Sequence, residues 1–156
     1  MLAQEYITWV IAAIHEQFPD IDITDFIAEH DYDQISDKFP GEHVPPDGCL
    51  LLALDDQDKV GGCVALGKLE GPVCEMRTLF VRPALRGKHM GKHLVEAVLQ
   101  EAREIGYTHM RLDTLTFMKS ALMLYHSLGF REIDPYREIP GAIGAYVRFL
   151  EINLKI

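Results

Sequence analysis

The chain has 156 residues and 48% apolar side chains, enough for one ordinary hydrophobic core and too few for a large two-domain enzyme. With 25% charged and 9% aromatic residues, the composition excludes a disordered or fibrous protein. Fifteen basic residues against 24 acidic ones give a net charge of −9, which argues against general nucleic-acid affinity.

No apolar run reaches the roughly 18 residues that a membrane span needs, and the first residues lack a basic-then-apolar signal. The expectation is a single cytoplasmic domain over residues 1–156 with neither nucleic-acid nor membrane partner. Cys49, Cys63 and Cys74 form no CxxC pair and lie in apolar runs, so neither a disulfide framework nor a zinc ribbon is expected. His89 and His93 stand at i, i+4 with no third ligand near, and no metal is expected.

Along the chain, Tyr6, Ile7, Val10, Ile11 and Ile14 recur at helical spacing in 3–17, and Pro19 closes that helix. A more polar helix is predicted within 24–38, followed by a turn-rich stretch, KFPGEHVPPDG (38–48). From residue 50 the period changes. CLLLALDD, KVGGCVALGKL (59–69) and VCEMRTLFV (73–81) read as three strands of an antiparallel meander, joined at DDQD (55–58) and Glu70-Gly71-Pro72. Met90, Leu94, Val95, Val98, Leu99, Ala102 and Ile105 then form one apolar helical stripe, with Gly106 at the expected left-handed cap. A strand (108–114), a second amphipathic helix ending at Gly129, and strands at 130–133 and 145–154 follow. This order predicts an α/β protein, a mixed sheet with helices on its faces.

The cationic charge is concentrated. Residues 76–95 hold Arg77, Arg82, Arg86, Lys88 and Lys92 and no acidic residue, in a chain that is otherwise strongly acidic. The segment VRPALRGKHMGKHL (81–94) joins a strand to a helix N-terminus, where unpaired amides and the helix dipole favour an anion. Gly87 and Gly91 permit close backbone approach. The spacing is neither a Walker loop nor a dinucleotide fingerprint. A small anionic ligand and a solvated basic loop both remain open on these residues alone.

This segment resembles the acyl-CoA pyrophosphate loop of the GCN5-related N-acetyltransferase (GNAT) superfamily: Gln or Arg, two residues, Gly, one residue, then Gly or Ala. Leu112-Asp113-Thr114 followed by MKSALMLYHSLGF (118–130) is similar to that superfamily's next block. The termini resemble an uncharacterised branch of it, through PPDGCLLLA (45–53) and PGAIGAYVRFLE (140–151). The resemblance implies the GNAT fold and transfer of an acetyl group from acetyl-CoA to a primary amine by direct attack in a ternary complex. A non-catalytic acyl-CoA-binding or sensor domain on the same fold is the alternative. Three departures stand out. His89 replaces the first signature glycine, Met118 stands where many members have asparagine, and no edge strand is expected ahead of the first helix, through a truncated start or an edge covered by another segment or chain. An uncovered sheet edge leaves a homodimer open.

The resemblance implies that Leu79, Phe80, Val81, Arg86, Gly87, Lys88, His89, Met90, Gly91, Lys92 and Ala121 bind acetyl-CoA. It also implies that Tyr125 is the general acid, for which packing on the apolar stripe is the competing role. Glu75 matches the glutamate that serves as base in part of the superfamily; strand alternation is expected to put it on one face with Val73, Arg77, Leu79 and Val81, and an ion pair with Arg77 is the other reading. The amine acceptor, small molecule or peptide, is expected to meet Tyr32, Phe39, His43 and Tyr136. Overall negative charge favours a cationic one.

Overall fold

The computed structural model describes residues 2–22, 24 and 43–155. Helix α1 spans Leu2–Gln17; strands β1 (Cys49–Leu54), β2 (Val60–Glu70) and β3 (Val73–Val81) follow. After them come α2 (Met90–Ile105), β4 (His109–Leu115), α3 (Lys119–Ser127), β5 (Arg131–Ile133) and β6 (Val147–Asn153). Single 3-10 turns precede α2 and β6. The strands form one six-stranded mixed sheet in the order β1-β2-β3-β4-β6-β5. Most of the helix predicted within 24–38 lies outside the described residues.

The described residues divide into two compact units, with the boundaries inside β4 and near the end of β6. One comprises Leu2, residues 43–112 and 152–155; the other comprises 3–22, 24 and 113–151.

In the first unit the meander forms as its turn residues dictate. Asp55 Oδ1 accepts from the amides of Gln57 (2.8 Å) and Lys59 (3.0 Å), closing the β1–β2 hairpin. β2 and β3 are antiparallel, pairing Gly67 with Glu75 and Cys63 with Phe80. Between Arg77 and Phe80, β3 carries one more residue than β2, and Thr78 takes φ 55°. This is a β-bulge. Alternation from Val73 therefore holds on one face only as far as Arg77, and the expectation that it continues to Val81 fails. Beside β3, β4 runs parallel in the register Val73↔His109, Cys74↔Met110, Glu75↔Arg111.

Helix α2 packs on β1, β2 and β3 with Leu94, Val95, Val98, Leu99 and Ala102 buried. Each buried Leu or Val contributes about 1.5–3 kcal/mol. The helix stops at Gly106 (φ 108°), whose amide donates to the carbonyls of Ala102 and Arg103. Gly62 lets the helix start close to β2: a β-carbon there would stand 3.2 Å from Leu94 Cδ1 and 3.3 Å from Met90 Sδ.

The second unit centres on Val10, Ile14, Leu115 and Ile143, with Tyr6, Trp9, Phe18, Phe117, Met118 and Tyr146 packed against them. Phe18 and Tyr146 lie 4.0 Å apart between ring centroids. β5 pairs with β6 antiparallel through Arg131↔Glu151 and Ile133↔Phe149. Among the described residues no helix is long and apolar enough to cross a membrane.

Candidate active site

The loop after β3 is held by the chain's own hydrogen bonds. The Arg82 amide donates to the Gly61 carbonyl (2.8 Å) and its Nη1 to that of Val60 (2.6 Å), tying the end of β3 to β2. Arg86 Nε donates to the Val81 carbonyl at 2.9 Å. Gly87 turns the chain at φ 82°, and His89 caps α2 in the left-handed region at φ 62°. Such a backbone costs a non-glycine residue about 1–2 kcal/mol.

The first amide of α2 with an acceptor is that of His93, which donates to the His89 carbonyl (3.0 Å). The amides of Met90, Gly91 and Lys92 have no acceptor among the described residues, as expected of a first helical turn. They make a site for an anion such as a pyrophosphate. Lys88 is exposed there, and Lys92 pairs weakly with Glu96 at 3.7 Å. The Met90 side chain faces the Gly61–Gly62 pair, so its amide is the part available to a ligand. Lys88, Met90 and His93 also border a groove of about 510 Å³ against β1.

On β3, Phe80 is buried, while Leu79 and Val81 are half-buried beside the bulge. Earlier on the strand, Glu75 is 4% exposed and receives a hydrogen bond from Arg77 Nε to Oε1 at 2.6 Å. The ion-pair reading of Glu75 is therefore realised, in a setting that leaves the carboxylate buried. His43 belongs to the same cluster: it is buried, and its Nδ1 donates to the Leu66 carbonyl at 3.3 Å. No spacing along the chain announced that His43 would approach Gly67, the cross-strand partner of Glu75. A glycine inside a strand, Gly67, was the one available sign of a close approach there.

In the other unit, Tyr125 is buried on α3 with its ring edge-on to Phe130 at 5.7 Å. Burial, reinforced by Tyr6 and Asp113, pushes its hydroxyl well above the usual phenol range. No described residue hydrogen-bonds that hydroxyl. A buried hydroxyl without a partner is uncommon, and it suits a group that meets a ligand. Ala121 lies one turn earlier, half-buried. Met118 is the N-cap residue of α3 and supplies no side-chain cap; it packs into the core and accepts from Thr114 Oγ1 at 3.7 Å. Asp113 is bound by Arg137, a pair that no sequence spacing announced. Tyr136 stacks edge-on against Phe149 at 5.0 Å. Tyr32 and Phe39 lie outside the described residues. Among those residues no three potential metal ligands gather.

A sequence profile for the acetyltransferase (GNAT) family matches residues 10–130. An uncharacterised N-acetyltransferase of Schizosaccharomyces pombe is 41% identical over 105 residues, covering 67% of this chain and 64% of the relative. The matched region spans less than two thirds of the length of this and other curated relatives. Among solved structures, a GNAT-family acetyltransferase from Staphylococcus aureus Mu50 superposes with a TM-score of 0.71 at 23% identity, covering 98% of this chain and 93% of the other. YncA of Salmonella typhimurium, solved with its cofactor acetyl-CoA, gives a TM-score of 0.58 at 23% identity, covering 68% and 64% of the two chains. These likenesses show the GNAT acyltransferase fold. With the profile match over most of its length, the chain belongs to the acetyltransferase (GNAT) family.

Proposed function

We propose that the protein transfers an acetyl group from acetyl-CoA to a primary amine, by direct attack of the amine on the thioester. The observation that carries this is the loop between β3 and α2, where the unengaged amides of Met90, Gly91 and Lys92 converge with Lys88 and a pinned Arg86. Those groups fit a pyrophosphate, and the acetyl-CoA complex of YncA supports the choice of cosubstrate. Bound there, acetyl-CoA supplies an acetyl group activated as a thioester.

Two protons must move. A primary amine is largely protonated near neutral pH, so a base must take its proton before attack. We assign this to Glu75. As the C–N bond forms and the C–S bond breaks, the departing sulfur needs a proton, and we assign its donation to Tyr125. Burial keeps that hydroxyl protonated and therefore a donor at neutral pH. The net charge of −9 favours a cationic acceptor by long-range attraction.

The test is a thermal-shift titration with acetyl-CoA against ATP, followed by thiol release with a panel of polyamines, arylalkylamines and amino acids. At 100 times Kd, acetyl-CoA should add about 2.7 kcal/mol of stability, a rise on the order of 5–10 °C. No rise, or an equal one with ATP, would overturn the cofactor site. A specific rise without turnover of any amine would favour the non-catalytic acyl-CoA-binding alternative.

A further inference from the structure

We propose that Arg77, seated over Gly67, is the positioning residue that fixes the Glu75 carboxylate for acceptor deprotonation. The inference rests on reading Glu75 as the base. Its starting point is the path of one side chain. Arg77 pairs across the sheet with Ala65, whereas Glu75 pairs with Gly67. Yet the Arg77 guanidinium lies over Gly67: a β-carbon there would stand 2.6 Å from Nη1 and 3.1 Å from Cζ. The side chain thus folds back along the ladder to the level of Glu75, where Nε donates to Oε1. Only a residue without a side chain at position 67 leaves room for it.

This arrangement is costly. A glycine within a strand weakens it by roughly 0.5–1 kcal/mol, and a partly buried ion pair recovers its desolvation only with good geometry. For fold stability alone, an apolar pair at these positions would serve as well or better. For a base, the arrangement is useful. A guanidinium stays protonated throughout the working range, so it neither competes for the proton nor loses its hold on the carboxylate. A fixed carboxylate rotamer is also what positioning for proton transfer requires.

Among the described residues of this unit, charged or titratable groups near Glu75 come from three elements. From β4, Arg111 stands at the paired position and is bound by Glu70 at 3.0 Å. From the 43–48 turn comes His43, whose Nδ1 would lie 3.3 Å from a Gly67 β-carbon. From β3 itself comes Arg77. Arg77 holds Glu75 in an ion pair through a 2.6 Å bond.

The test follows two readouts against pH in R77M, R77K, G67A and E75Q. One is the ¹³C-carboxyl resonance of Glu75 in the protein without acceptor, assigned by its disappearance in E75Q. The other is kcat/KM for thiol release with the best amine of the panel. Loss of the guanidinium in R77M should change the Glu75 resonance and the acid limb of kcat/KM together, because both depend on the same carboxylate. Turnover at pH 7 should fall about ten-fold or more. R77K should recover part of both effects, and G67A should mimic R77M by unseating the guanidinium. Acetyl-CoA thermal shifts should not change. Where R77M fails to fold, G67A and R77K carry the test through the same resonance. An unchanged Glu75 resonance and pH profile in G67A and R77K, with E75Q inactive, would overturn the role of Arg77 and leave the base reading intact. Full activity of E75Q would instead overturn the base reading itself.

Discussion

The guanidinium of Arg86 lies 5.7 Å from the centroid of the Phe80 ring while its Nε holds the Val81 carbonyl. One side chain thereby joins the end of β3 to the loop that leads into α2 and fixes the loop's course. Preorganisation of this kind lowers the ordering cost of binding. R86A should weaken acetyl-CoA binding about ten-fold or more by calorimetry. R86K should fall between, because an ammonium cannot both stack on the ring and reach the carbonyl through a fixed fork. Equal affinity in all three proteins would remove Arg86 from the cofactor site.

Tyr125 offers a sharper separation of binding from chemistry. Y125F removes a hydroxyl that no described residue hydrogen-bonds and leaves the ring against Phe130 in place. The fold should tolerate it, with a melting temperature within a degree or two of the parent. General acid catalysis is commonly worth 10²–10⁴, so turnover should fall about 100-fold or more while acetyl-CoA affinity holds. Undiminished thiol release would leave Tyr125 as a packing residue.

Alkaline pH should destabilise the protein in a defined window. Burial pushes the Cys74 thiol up to about 12 and raises Tyr125 as well. Both groups are neutral in the folded protein, so the unfolded chain releases their protons first as pH rises. Stability from these two groups is constant below about pH 8. It then falls by at most about 1.4 kcal/mol per pH unit per group as each ordinary pKa is passed. Urea midpoints at pH 8, 9, 10 and 11 should decline progressively, and C74A should flatten the early part. A level profile from pH 8 to 11 would contradict the burial of both groups.

Gly106 isolates a backbone effect. Nothing lies within 4 Å of where its β-carbon would stand, yet its φ is 108°. G106A therefore meets no clash and only conformational strain, and it should cost about 1 kcal/mol in chemical denaturation. A neutral result would mean that α2 can end without the left-handed cap.

How much of this could be read from the chain depends on the range of each interaction. The stripe of α2, the DDQD hairpin, the Gly106 cap and the strand order through β3 are local, because periodicity and allowed backbone angles act over a few residues. The loop between β3 and α2 was legible for the same reason: its glycines and cations are contiguous. The bulge at Thr78 was not, since an extra residue in one strand is defined only against its partner, and it ended the expected alternation at Arg77.

The choice between base and ion pair for Glu75 shows the division most clearly. Two-residue spacing on a strand put Arg77 within reach of Glu75, and that much the sequence determined by itself. Only the tertiary structure decided that the guanidinium folds over Gly67, that His43 closes on the same spot, and that Tyr125 is buried with its hydroxyl unengaged. The physical reason is that rotamers of long side chains and the burial of polar groups are settled by neighbours distant in sequence. Those neighbours become neighbours only once the sheet has paired.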